Sequence, residues 1–228
     1  MNPHRCLTRT QLALAIIVAP VLLTGCATPG YKLADQTGDA IAAYETNIDK
    51  LKQAIHSSLT AMNQMPAVAS TNPRPAYGAF ADEVKRLDVA LTRATQRAEL
   101  VKTRATTYFA AWSQEIPTIV NPELHNLAEQ RKAKQVETFN RATAAIQAAD
   151  AVVKSFVIEL KDIQKSLGND LTVEGIDAIK PLFQRAAADG AKAGQQLDTL
   201  VNDLNATGAA LVPNLLVPQE PAPAPAAK

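Results

Sequence analysis

Residues 77–112 read YGAFADEVKRLDVALTRATQRAELVKTRATTYFAAW. Within them Tyr77, Phe80, Val84, Leu87, Leu91, Ala94, Ala98, Val101, Ala105, Tyr108 and Trp112 recur at alternating steps of three and four. An α-helix turns once every 3.6 residues, so this spacing stacks them all on one side. No charge occupies the stripe, while Arg86, Arg93, Arg97, Lys102 and Arg104 lie elsewhere on the circumference. So narrow a stripe is an a/d seam and not a broad amphipathic face. At ~1.5 Å per residue the helix is on the order of 55–60 Å long. It cannot bury its seam alone and needs neighbours of comparable length.

The flanking sequence supplies them. Upstream, Ile41, Tyr44, Ile48, Leu51, Ile55, Leu59 and Met62 repeat the spacing, and Pro66 is expected to end that helix before a loop over residues 67–75. Downstream, Asn121-Pro122 reads as a cap followed by proline at the first helical position. A third helix over residues 122–167 begins polar and regains the seam through Val136, Phe139, Ile146, Val153, Phe156, Leu160, Ile163 and Leu167. Gly168 is expected to close it in the left-handed conformation. A fourth opens at Thr172, bracketed by Leu171 and Ile176, with its seam through Phe183, Ala186, Gly190, Ala193, Leu197, Leu200 and Leu204. Pro181 lies opposite that seam and predicts a bend, not a break. Short loops make successive helices antiparallel, so the expected fold is all-α: an elongated antiparallel four-helix bundle with coiled-coil-like heptad seams.

The ends differ from this body. Arg5 and Arg9 precede an uncharged run over residues 12–23, too short to span a bilayer as a helix and suited to a secretory signal. It closes on Leu23-Thr24-Gly25-Cys26, which resembles the lipobox of bacterial lipoproteins. That resemblance implies cleavage between Gly25 and Cys26, acyl chains on Cys26, and a body held at a membrane by those chains. Several chains anchor stably where one is marginal. Ala27, where lipoproteins retained at the inner membrane often carry Asp, implies the outer membrane with the body in the periplasm. The expected organisation is a signal peptide over 1–25, a lipid-anchored tether over 26–37, the bundle over 38–211, and a Pro/Ala-rich tail over 212–228 that cannot bury a core.

Composition narrows the function classes. The chain carries 23 Lys+Arg and 22 Asp+Glu, a balance that argues against a nucleic-acid partner. Its two cysteines are Cys6, in the signal, and Cys26, leaving no thiol for a disulfide, metal or redox site. His56 and His125 lack metal-ligand spacing, and adjacent Asp82 and Glu83 point to different helix faces, so no metal, cofactor or acid/base pair is expected.

The run Phe109-Ala110-Ala111-Trp112-Ser113-Gln114-Glu115, then Asn121 and Leu124, resembles a signature of uncharacterised helical bacterial lipoproteins grouped only as a domain of unknown function. Leu160-Lys161-Asp162, followed by Leu167, Asn169 and Leu171, fits the same pattern, and the likeness spans residues 31–210. It implies the architecture and no activity.

Two features remain as candidate sites. Tyr108, Phe109, Trp112 and Glu115 are either a ligand or partner cluster or, more simply, an apolar plug at the bundle's end. Lys228 matches the residue through which lipoproteins resembling the major murein-linked type are joined to peptidoglycan. The expected function is therefore a non-enzymatic periplasmic scaffold or adaptor contacting other envelope proteins through its helical surfaces. The alternatives are an outer-membrane to peptidoglycan tether through Lys228, or a small-molecule or lipid binder near Trp112.

Overall fold

The computed structural model describes residues 29–211, and among these every element is helical. Helix α1 spans Gly30–Val68, α2 Pro73–Glu115, α3 Pro122–Asn169, α4 Val173–Ala178 and α5 Lys180–Leu211. A 3-10 turn, Ile116–Thr118, follows α2 directly. Helix α1 packs on α2 and α5, and α3 packs on the same two, so four long rods form a square with α4 as a short extension of the fourth. Cross-helix bonds give the directions. Ser58, late in α1, donates to the Glu83 carbonyl early in α2, and Arg104, late in α2, donates to Gln36 early in α1. Neighbours therefore run antiparallel, and the bundle is the expected one.

The seams fill the interior. Phe80, Leu87, Val101, Val153, Phe156, Leu160, Ile176, Leu200 and Leu204 are fully buried. Burying each large apolar side chain contributes roughly 1.5–3 kcal/mol. Around this core, ion pairs join facing helices: Lys161–Asp88 at 2.7 Å, Arg185–Glu159 at 2.7 Å, Arg141–Asp203 at 3.1 Å, and Lys52 with Asp198. At such exposed positions each pair contributes at most about 1 kcal/mol, so they act on register more than on stability.

Four boundaries differ from the sequence expectation. Helix α1 begins at Gly30, taking in residues 30–37 of the expected tether. Its seam continues upstream through buried Ala34, Thr37 and Gly38, residues too small to register as a hydrophobic stripe. Pro66 does not end α1, which runs to Val68; a proline in the final turn forfeits few bonds. Gly168 is not left-handed, since no described glycine has positive φ. The chain leaves α3 through an extended Asp170 whose N–H bonds to the Ser166 carbonyl at 3.1 Å. What Gly168 provides is space: a Cβ there would lie 2.6 Å from the Tyr77 hydroxyl. Finally, the fourth rod is broken at Ile179 rather than bent. Pro181 has no N–H to continue the ladder and disfavours helix just before itself, so α5 restarts on the Ile179 carbonyl, bonded by Leu182 and Phe183.

The expected caps are present. Asn121 accepts from the N–H groups of Glu123 and Leu124 at 2.9 and 3.1 Å, and Thr172 accepts from Gly175 at 3.1 Å. No helix among the described residues is long and apolar enough to cross a membrane.

Candidate functional site

One end of the rod gathers most of the singled-out residues. Gly30 at the start of α1 lies against Glu115 at the end of α2, and Gln135 near the start of α3 donates to the Ala210 carbonyl near the end of α5 at 3.1 Å. Both termini of the described chain thus emerge here, while the α1–α2 loop and α4 lie at the opposite end.

Three aromatic rings stack on the last turns of α2. Tyr108 lies 5.0 Å from Phe109 and 5.6 Å from Trp112, centroid to centroid, in tilted arrangements. Phe109 turns towards α3, 5.8 Å from Phe139. Tyr108 is buried and donates its hydroxyl to Gln135 at 3.2 Å, so one glutamine links α2, α3 and α5. Burial raises the Tyr108 pKa above its ordinary value, with the Arg131 charge opposing that shift. Beside these rings runs an open groove of ≈ 420 Å³, with Tyr31, Asp35, Trp112 and Arg131 on its walls. Trp112 is half-buried and lines this groove, so it is not enclosed as an end plug would be. Glu115 is exposed, beside Gly30 and outside the groove. The structure brings Tyr108, Phe109 and Trp112 together and leaves Glu115 apart. Gly25, Cys26 and Lys228 lie outside the described residues.

Elsewhere the rod offers clefts, two of which carry opposite charge. Between α1 and α2, a cleft of ≈ 500 Å³ is lined by Lys50, Lys85, Arg86 and Arg93, with Asp82 as its one acid. Between α3 and α5, one of ≈ 410 Å³ is lined by Glu159, Asp162 and Asp189, with Arg185 bonded to Glu159. This segregation escapes a sequence reading because the charges come from different helices and cancel in the total. Midway along the axis, alanines at 94, 98 and 149 leave a cavity of ≈ 100 Å³ between Tyr44, Leu91 and Val153. Burial, with a smaller contribution from the Asp150 charge, raises the Tyr44 pKa strongly and keeps the phenol neutral. The cavity is small enough for a few waters and far too small for an acyl chain.

Glu45 carries the described chain's unpartnered buried oxygen, Oε1, and burial followed by the neighbouring Asp49 charge raises its pKa. His56 is exposed on α1 and His125 half-buried at the start of α3; no group of three or more potential metal ligands occurs among the described residues.

A family model described as protein of unknown function (DUF2959) matches residues 29–210. The match starts and ends within one residue of the described helical body. No curated protein matches the chain.

Proposed function

The chain belongs to the family described as protein of unknown function (DUF2959), and from its Leu23-Thr24-Gly25-Cys26 stretch together with the helical rod we propose that it is a lipid-anchored envelope scaffold. In this reading Cys26 carries the acyl chains, the bundle stands in the periplasm on the outer membrane, and no reaction is catalysed. The rod binds other envelope proteins along its sides. The observation that carries this reading is the pair of oppositely charged clefts, lysine- and arginine-lined between α1 and α2 and carboxylate-lined between α3 and α5. Complementary charge steers association and suppresses wrong partners more than it adds affinity, which suits an adaptor with two separate docking faces. The large clefts are shallow and open, as surfaces for partner side chains are, and the polar helix faces between them are long.

The test uses two exposed apolar residues that sit in those clefts, Val89 and Ile158. A photoreactive amino acid at either position, activated in living cells, is expected to capture a reproducible envelope protein identified by mass spectrometry. The captured partner at Val89 should present acidic residues and that at Ile158 basic ones. Recovery of only the uncrosslinked monomer from both positions, with the protein still in the membrane fraction, would refute the scaffold reading.

A further inference from the structure

The described residues expose seven large apolar side chains, and four of them crowd one end of the rod: Tyr31 at 66 % exposure, Val120 at 94 %, Leu124 at 56 % and Leu127 at 52 %. Scattered exposed leucines need no explanation, but a cluster at one extremity does. Two features of the fold make this end particular. Because Gly30 lies against Glu115, the 3-10 turn and residues 119–121 continue past the start of α1, and Val120 occupies the tip. Helix α3 has no fully buried side chain before Phe139, so its first turns are only partly covered by the bundle, and Leu124 and Leu127, one turn apart, lie on their exposed side.

The chain's own geometry indicates what covers them. Cys26 stands three residues before Pro29, the residue that caps α1. At no more than about 3.6 Å per residue, a chain of that length lets its sulfur be at most roughly 17 Å from the start of α1, side chain included. Acyl chains on that sulfur would therefore hold this end close to the bilayer surface. The charges at this end, Glu115, Glu123, Glu129, Arg131 and Lys132, are of both signs and suit zwitterionic headgroups.

We propose that Tyr31, Val120, Leu124 and Leu127 form a foot that inserts into the lipid headgroup region, so that the α2–α3 turn is a second membrane contact beside the acyl chains. This rests on the anchored reading above and goes further, since an anchor alone would let the body swing free in water. A foot fixes the rod's tilt and rotation, and with them the direction in which each charged cleft faces. Aromatic and aliphatic side chains at a membrane interface typically reach about 5–10 Å into the headgroup and acyl boundary.

Full-length protein purified from membranes, with Leu124→Cys or Leu127→Cys carrying an environment-sensitive fluorophore, is reconstituted in phosphatidylcholine vesicles; Ile158→Cys and Val173→Cys are the distant controls. Both controls are exposed apolar positions away from this end. Intact mass establishes acylation of Cys26 first. Bromine-bearing phosphatidylcholine is expected to quench the probes at 124 and 127 on the order of twofold or more relative to the controls, as interfacial depth requires. Equal quenching at all four positions in acylated protein overturns the foot and leaves the anchor standing. A blue-shifted probe at 124 that bromine does not quench means another protein surface, such as a second copy, covers the rim, and also overturns it. An unacylated mature chain removes the anchored reading and this inference together.

Discussion

At the scale of single residues, the bundle is governed by where small side chains are required and where they are incidental. Gly190 and Gly194 lie one turn apart on α5, the first on its apolar seam and the second off it. A Cβ on Gly190 would come within 2.7 Å of Leu59 Cδ1 and 3.1 Å of the Phe156 ring, whereas one on Gly194 would meet nothing within 4 Å. Gly190→Val should therefore destabilise by about 1–3 kcal/mol through overpacking. Gly194→Ala should stabilise by about 0.5–1 kcal/mol, because alanine loses less backbone entropy in a helix. Urea unfolding of the two variants separates them; equal effects would mean that α5 does not approach α1 and α3 as described. That Gly190 and Ala186 admit a close neighbour was legible in the seam. The role of Gly168 was not, because its constraint is the Tyr77 hydroxyl, ninety-one positions away in the chain.

At the scale of elements, periodicity located every long helix, and local chemistry located those ends that depend on caps. Asn121 and Thr172 cap as their sequence context implies, since a side-chain acceptor followed by helix formers is a local arrangement. Asn121→Ala should cost about 1 kcal/mol, confined to the partly covered first turns of α3. Hydrogen exchange is expected to quicken at Glu123 and Leu124, the amides that Asn121 holds, and to stay unchanged around Phe156 in the core. A loss of protection spread over the whole bundle would contradict this local role. The two prolines behave differently for a physical reason. Pro66 stands in the last turn of α1, where packing of Met65 outweighs the lost bonds. Pro181 stands at the start of α5, where it lacks the N–H that would bond the turn before it, and the ladder gives way at Ile179 while Ile176 and Phe183 stay buried on either side.

At the scale of the molecule, the antiparallel square is a rod whose two ends, one at the start of α1 and one at the α1–α2 loop, are separated by nearly the full length of α3. Spin labels at Leu127→Cys and Val173→Cys should lie about 60–65 Å apart, the rise of the intervening helix, when measured by pulsed electron–electron resonance. A distance below about 45 Å would fit a compact globule of this length instead. By itself the sequence determined that the described body is helical, that it folds into four antiparallel rods around apolar seams, and which large side chains fill most of the core. Those properties follow from spacing along one helix and from chain connectivity, both of which are local. Only the tertiary structure decided that Trp112 lines an open groove, that opposite charges collect in separate clefts, and that exposed apolar side chains gather at the end where α1 begins. Each of these depends on the rotation of one helix against another and on where the rods end relative to their neighbours. A seam settles which side of a helix faces inward; it leaves open which outward side chains from two different helices come to share a surface.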